Sequence, residues 1–190
     1  MNILVIKSSV FGDNGNSSSL VNSQLAALQA QHPDATVVVR DLSTDPIPHL
    51  DGERVGAFFT PADQRSDDQQ AVEDFSQALI AELKAADHVV LGLPMYNFGI
   101  PSQLKSWIDH VARAGITFRY TENGPQGLLD DKPVTVLAAR GGLYAGTEND
   151  TVTPYIKLFF GFVGITDVSF VFAEGLNMGD KSKDKAMCED

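Results

Sequence analysis

Five short apolar segments, each rich in β-branched residues, constrain the fold of this chain more than any other feature. They cover residues 3–6, 37–39, 89–91, 134–139 and 168–172, and polar residues, Gly or Pro bound each one. Segments of this length and composition are typical of β-strands. The segments at 3, 89 and 134 alternate little with polar residues, as expected for strands with both faces covered. The sequence therefore predicts a buried parallel sheet.

Amphipathic segments with a period of about 3.6 residues separate the predicted strands. Their apolar stripes lie within residues 21–28, 72–83, 104–111 and 152–163. Strands that alternate with helices favour a three-layer α/β sandwich with right-handed crossovers. The length of 190 residues and the hydrophobic content of 43% fit one domain over residues 1–190, because single domains usually hold about 100–200 residues.

Charge, apolar run length and cysteine count exclude several classes of protein. The formal net charge is −11 and the basic residues form no cluster, so nucleic acid is not an expected partner. The apolar run at residues 3–6 is too short for a signal sequence or a membrane span. Cys188 is the only cysteine, which excludes an intrachain disulfide and indicates a reducing compartment, the cytoplasm.

No metal site or catalytic pair of side chains stands out. The four histidines lie on scattered elements without the spacing of metal ligands, so no metal is expected. Asp109 and His110 are adjacent but project from different faces of a predicted helix, and no G-x-S-x-G motif accompanies them. We interpret both as surface groups or as satisfied core groups.

Two connections do not fit the repeating pattern, residues 43–64 and residues 115–131. Long connections in compact domains often carry function, so both are candidates for a lid or an interface. For residues 43–64, a solvated loop is an equally good interpretation.

The loop after the first predicted strand is a candidate phosphate site, because ligands of open parallel sheets bind beyond the carboxyl ends of the strands. Residues 8–19 are polar, contain Gly12 and Gly15, and lead into a predicted helix. Hydroxyls and free N–H groups at the positive end of a helix can bind phosphate without a basic side chain. The loop matches neither Walker A nor G-x-G-x-x-G. Ser17 to Ser19 are explained equally well as N-caps, so both interpretations stay open.

The loop after the third predicted strand carries a thioether, an amide and two aromatic rings between two prolines. Its residues are Met95, Tyr96, Asn97 and Phe98. Aromatic and Met side chains on a short rigid loop suit a flat ring ligand, and the amide with nearby N–H groups can bind its polar edge.

The loop after the fourth predicted strand contains two consecutive glycines. Its residues are Ala139, Arg140, Gly141 and Gly142. Glycines let backbone N–H groups approach a ligand closely, and either these dipoles or the guanidinium can stabilise a negative charge. A plain glycine turn is the alternative, although three such loops at one sheet edge make it less convincing.

Several long segments resemble the FMN-dependent NADH-azoreductases, a family of homodimeric flavoenzymes. The segments are residues 95–98, 104–115, 117–125 and 161–167, and the match runs from residue 3 to about 176. The resemblance implies a flavodoxin-like sandwich whose five parallel strands have the order 2-1-3-4-5, and it implies a homodimer.

The resemblance also implies where FMN binds. It assigns Ser9 and the segment of Gly15, Asn16 and Ser17 to the phosphate. It places Met95, Tyr96, Asn97 and Phe98 beside the isoalloxazine, and Ala139, Arg140, Gly141 and Gly142 near its pyrimidine end. Family members often carry Ser where this chain has Ala139, so a backbone contact there would survive and a hydroxyl contact would not. Tyr120 and Phe162 align with aromatics that wall the nicotinamide and substrate pocket, Phe162 from the partner subunit or across the interface.

The implied reaction is a two-electron ping-pong reduction of quinones and aromatic azo compounds by NAD(P)H, with hydride passing through FMN. NADH is the expected donor and NADPH stays possible. The cofactor carries this chemistry, so no catalytic acid or base is required of the protein. The alternative is a flavodoxin-type one-electron carrier that docks on basic protein partners through its acidic surface.

Overall fold

The computed structural model describes residues 1–188, which contain seven strands and six α-helices. The strands are β1 (Asn2–Lys7), β2 (Thr36–Asp41), β3 (His88–Pro94), β4 (Phe118–Thr121), β5 (Gly124–Gly127), β6 (Val134–Ala139) and β7 (Val168–Ala173). The α-helices are α1 (Asn16–Gln31), α2 (Gly52–Phe59), α3 (Asp67–Ala85), α4 (Ser102–Val111), α5 (Val152–Val163) and α6 (Asp180–Cys188). Short 3₁₀ turns cover Gly12–Asn14 and Ala62–Gln64.

The main sheet has five parallel strands in the order β2-β1-β3-β6-β7. This order confirms the predicted 2-1-3-4-5 arrangement, because β4 and β5 form a separate antiparallel hairpin. Val5 of β1 is paired with Val39 of β2 on one side and with Val90 of β3 on the other. The strand order reverses between β1 and β3, which is where a sheet of this type binds its ligand.

Both faces of the central strands are covered, as the weak polar alternation predicts. Ile3 and Val5 pack in one cluster with Val21 and Leu28 of α1, whereas the alternate β1 positions, such as Leu4, join the larger cluster with α3, α4 and α5. Burying one aliphatic side chain stabilises a fold by about 1.5–3 kcal/mol. The central strands are therefore a rigid base for the loops at their ends.

The two long connections carry secondary structure of their own. Residues 43–64 contain α2, which packs on α3, so the interpretation as a solvated loop is wrong. Residues 115–131 contain the hairpin, which lies against the end of α5. A Cβ on Gly127 would lie 2.1 Å from the Gly164 nitrogen, and Leu129 N–H donates to the Val163 carbonyl at 2.9 Å. Only glycine permits this close crossing.

Helix α6 lies on the same face of the sheet as α1. Ala186 and Met187 pack with Ala139, Ala173 and Leu176. Within residues 1–188, no helix is both long enough and apolar enough to cross a bilayer.

Candidate functional site

Loops from the carboxyl ends of β1, β3, β6 and β7 enclose a cleft of about 190 Å³. The cleft brings together nine of the twelve residues that the sequence and the resemblance assign to a cofactor. These are Ser9, Gly15, Asn16, Ser17, Met95, Tyr96, Ala139, Arg140 and Gly141. Residues far apart in the chain meet here because parallel strands end at one edge of the sheet.

The N-terminus of α1 forms one end of the cleft. The helix begins at Asn16, and its N-cap residue, Gly15, provides no side-chain cap. The first N–H groups of an α-helix have no partner within the helix, and they lie at its positive end. This end of the cleft therefore presents unpaired donors to an anion.

Ser17 and Ser18 separate the two interpretations of the serine-rich loop. The Ser18 hydroxyl donates to the Gly12 carbonyl at 2.7 Å, which is a structural role. Ser17 is 1% exposed and lines the cleft, yet its Oγ has no hydrogen-bond partner. A buried hydroxyl normally has a partner, and an unpaired one requires an explanation. A phosphate bound in the cleft would supply that partner, so the geometry fits the group.

Ser9 and Gly15 pack against each other at this end. A Cβ on Gly15 would lie 2.2 Å from Ser9 Oγ, so only glycine fits. Ser9 Oγ accepts from the Phe11 N–H at 3.2 Å and lies 3.3 Å from the Tyr96 hydroxyl. The Val10 N–H also donates to that hydroxyl at 3.3 Å. Tyr96 thus ties the loop after β3 to the loop after β1.

The loop after β3 ends in a tight turn. The N–H groups and carbonyls of Tyr96 and Gly99 bond reciprocally at 3.0 Å. The two residues between them have positive φ angles, 50° at Asn97 and 62° at Phe98. A bulky residue rarely adopts this left-handed conformation, and its cost is of order 1–3 kcal/mol. Thr151 Oγ1 donates to the Phe98 carbonyl, which supports the strained turn.

Asn97 and Phe98 do not line the cleft. Phe98 is 58% exposed, its ring meets Tyr144 edge-on at 5.8 Å, and it lines a second cavity of about 500 Å³. Ile100, Val152 and Tyr155 give this cavity a largely apolar wall. The turn thus presents its aromatic ring outside the cleft.

Arg140 does not supply a free positive charge. Its guanidinium is 1% exposed and bonds to Asp150 at 2.9 Å, to Glu174 at 3.2 Å and to Thr153 Oγ1 at 2.6 Å. Burial by itself raises the pKa of Asp150, but hydrogen bonds from Thr153 and Arg140 outweigh it and lower the pKa. The sequence left two groups that could stabilise a negative charge on the ligand. Because the guanidinium is already paired with protein groups, the backbone N–H dipoles are the group that is still available.

The glycine turn after Arg140 contributes one residue to the cleft. Gly141 lines the cleft and Gly142 does not. The Gly142 carbonyl instead accepts from Gly175 N–H at 3.0 Å. Ala139 is 5% exposed and its carbonyl accepts from Met95 N–H at 3.0 Å, so it offers no side-chain group to a ligand.

Sequence reasoning missed four residues of the cleft. They are Phe11, Pro94, Leu176 and Asn177. Leu176 and Asn177 follow β7, whose carboxyl end lies beside that of β6. The carboxyl-end rule applied to the last predicted strand would have indicated both residues.

Tyr120 and Phe162 lie outside the cleft. Tyr120 is 75% exposed on the hairpin and meets Phe118 edge-on at 5.5 Å. Phe162 is half-buried, with its ring 4.2 Å from that of Phe118. The two residues form an aromatic patch with Phe118, separate from the cleft within one chain.

Comparisons with known proteins place this geometry in a family. A family model described as flavodoxin-like fold matches residues 1–190. The chain is 83% identical over 187 residues to an FMN-dependent NADH:quinone oxidoreductase of Alcanivorax borkumensis, covering 98% of this chain and 94% of that protein. It is 57% identical to a protein of the same name from Cellvibrio japonicus, covering 95% of this chain and 91% of that protein.

A solved structure agrees with these relatives. The crystal structure of an FMN-dependent NADH-azoreductase from Bacillus anthracis in complex with FMN superposes with a TM-score of 0.86 at 26% identity. The superposition covers 98% of this chain and 94% of that one. The cleft at the reversal of strand order, the relatives and the structural match agree. The chain belongs to the flavodoxin-like family of FMN-dependent NADH:quinone oxidoreductases.

Proposed function

We propose that this protein binds FMN in the cleft and uses NADH to reduce quinones and aromatic azo compounds. The observation that carries the proposal is the buried, unpaired Ser17 Oγ beside the uncapped N-terminus of α1. A phosphate monoester provides the acceptor oxygens that this hydroxyl and the free N–H groups lack. The names of the relatives and of the azoreductase support the same cofactor, donor and acceptors.

The residues assigned to FMN divide into three groups by the part of the cofactor that each would contact. Ser9, Gly15, Asn16 and Ser17 would bind the phosphate through hydroxyls and N–H groups. Met95 and Tyr96, with Asn97 and Phe98 of the strained turn, would lie beside the isoalloxazine. The backbone of Ala139, Arg140, Gly141 and Gly142 would meet its pyrimidine end, where the N–H groups of Gly141 and Gly142 would favour negative charge.

The protein's contribution is binding and orientation. FMN, when bound, supplies the two-electron chemistry between NADH and the acceptor. A rigid cleft holds the ring plane fixed, so that a second flat molecule can stack on its open side. Because both reactants would use the same space in turn, we propose a ping-pong order.

We also propose that the chain is a single domain that works as a homodimer in the cytoplasm. Exposed aromatic rings support the dimer, since Phe98 is 58% and Tyr120 is 75% exposed. Aromatic side chains are enriched at protein–protein interfaces. Tyr120 and Phe162 of one chain would then complete the substrate pocket of the other. The lone cysteine of the sequence, Cys188, suits a reducing compartment.

The test begins with the purified protein, which should show flavin absorbance or take up FMN in a 1:1 ratio. Rapid loss of that absorbance on mixing with NADH is expected, and parallel double-reciprocal plots with a quinone or an azo dye would support the ping-pong order. Assays with NADPH alongside NADH identify the preferred donor. Protein that fails to bind FMN would refute the proposal, and bound FMN that NADH does not reduce would favour the one-electron carrier.

A further inference from the structure

We infer that Glu174 is the residue that positions the glycine turn of the cleft and sets the charge beside it. Glu174 directly follows β7 and its side chain is 16% exposed. Its Oε1 accepts from the N–H groups of Tyr144 at 2.9 Å and Ala145 at 2.8 Å, and from Arg140 Nη1 at 3.2 Å. No motif or charge pattern in the sequence indicates this residue. The inference rests on the proposed binding of FMN in the cleft.

The backbone around Glu174 holds the same turn from the other side. Gly175 N–H donates to the Gly142 carbonyl at 3.0 Å, and Asn177 N–H donates to the Gly141 carbonyl at 3.0 Å. A Cβ on Gly141 would lie 2.6 Å from Asn177 Nδ2, so the two loops are in close contact. The carboxylate fixes residues 144 and 145, just after the glycines. The conformation of the turn therefore depends on the loop that follows β7.

The carboxylate also changes the local charge. One buried guanidinium, that of Arg140, faces two carboxylates, Asp150 and Glu174. Glu174 thus places a negative charge next to the glycine turn, and Lys185 lines the same surface cavity as this carboxylate. Because the ion pair with Arg140 is largely buried, water screens the Glu174 charge poorly. Its electrostatic effect should therefore reach the isoalloxazine ring of bound FMN. Neutralising Glu174 should make the potential at the glycine turn more positive.

The experiment compares three variants with the wild type. Glu174→Gln removes the charge and keeps the shape, whereas Glu174→Asp keeps the charge and shortens the reach. Glu148→Gln is the matched control, because Glu148 lies exposed in the neighbouring loop. FMN fluorescence titration gives the dissociation constant, dye equilibration gives the midpoint potential of the bound flavin, and thermal unfolding without FMN reports the fold.

We expect Glu174→Gln to weaken FMN binding about tenfold, because an uncharged acceptor holds the N–H groups of Tyr144 and Ala145 less firmly and leaves the glycine turn less well positioned. It should also shift the midpoint potential to a more positive value, because added negative charge on the flavin meets less repulsion. Glu174→Asp should weaken binding and leave the potential close to that of the wild type. Glu148→Gln should change neither quantity.

An unchanged dissociation constant and potential in Glu174→Gln would overturn the inference. A lower unfolding temperature with an unchanged potential would also overturn it, because that result shows a structural role alone. If Glu174→Gln fails to fold, Glu174→Asp provides the test. Wild-type FMN affinity in Glu174→Asp would then overturn the inference. If the wild type itself does not bind FMN, the proposed function fails first, and that outcome is visible before any variant is measured.

Discussion

Two buried side-chain atoms in residues 1–188 lack a hydrogen-bond partner, and they differ in what surrounds them. Ser17 Oγ lies at the N-terminus of α1 and lines the cleft. His110 Nε2 lies in the core, with the His110 ring edge-on to Phe75 at 5.6 Å and to Phe58 at 6.0 Å. Both residues are at most 1% exposed. One unpaired atom thus lies in a polar cleft. The other lies in what we call the aromatic cage, formed by Phe58 and Phe75 around His110.

The difference shows when an unpaired polar atom indicates a ligand. Ser17 adjoins free N–H groups and a cleft that a ligand can enter, so its deficit can be removed by binding. His110 has no such route. Its Nδ1 donates to the Ser106 carbonyl at 2.9 Å, which leaves Nε2 as a bare acceptor in the neutral ring. Burial of the same ring lowers its pKa.

The largest effect on FMN binding is expected from Gly15→Ala, which disturbs the phosphate end of the polar cleft. The new Cβ would lie 2.2 Å from Ser9 Oγ, so the loop or the helix must shift. Loss of this geometry should weaken FMN binding by roughly 100-fold, which is about 2.7 kcal/mol. Fluorescence titration with FMN measures it. Gly56→Ala is the control, because a Cβ there meets nothing within 4 Å. An affinity within threefold of wild type in Gly15→Ala would contradict the phosphate assignment.

A smaller effect is expected from Ser17→Ala, and its neighbour Ser18 provides the contrast. Ser17→Ala removes an unpaired hydroxyl, so stability without FMN should stay equal or rise while FMN binding weakens about tenfold. Ser18→Ala removes the bond to the Gly12 carbonyl and should lower stability by about 1 kcal/mol. Urea unfolding and FMN titration of both variants separate the two roles. A loss of stability in Ser17→Ala with unchanged FMN affinity would make Ser17 a structural residue.

The sheet was predictable because local patterns determine it. The β-branched runs gave all five strands of the main sheet, and the alternation with helices implied parallel pairing. Helix α2 was not predicted because its residues, Gly52–Phe59, lie in a segment rich in Pro, Asp and Gly. It is held by contacts that only the tertiary structure shows, such as Arg113 lying 3.6 Å from the centre of the Phe58 ring.

The cleft was predictable in position more than in detail. The carboxyl-end rule located the loops that carry Ser17 and Gly141, but periodicity cannot show which hydroxyl lacks a partner. Arg140 is not free to bind a ligand because it is paired with Asp150 and Glu174. These residues are 10 and 34 positions away in the chain, so local sequence does not reveal the pairing. His110 was expected to be a surface or satisfied core group. It is buried with only one ring nitrogen paired, so that expectation is half right.

The smallest effect concerns the aromatic cage and appears as a pH dependence. Burial lowers the pKa of His110 below its ordinary value of 6.5. The charges of Arg54 and Arg113 lower it further, whereas the hydrogen bond to Ser106 and the charge of Asp109 oppose the decrease. Below that ordinary value the unfolded chain binds a proton that the folded chain does not, so the free energy of unfolding falls as pH decreases. This decrease in the free energy of unfolding ends at the pKa that His110 has in the folded protein. His88, whose pKa burial also lowers, contributes with the same sign.

Removing the His110 ring should therefore flatten this decrease and leave the His88 contribution. His110→Asn keeps an amide near the position of Nδ1 and cannot titrate, so its unfolding free energy should change less than that of the wild type between pH 7.5 and 5.5. His88→Asn is the reciprocal variant, which should lose the His88 contribution and keep that of His110. Urea unfolding at three pH values measures all three proteins. Equal dependence of the unfolding free energy on pH in the wild type and His110→Asn would show that the aromatic cage tolerates the protonated ring. Ser17 and His110 would then differ only in whether a ligand can reach the unpaired atom.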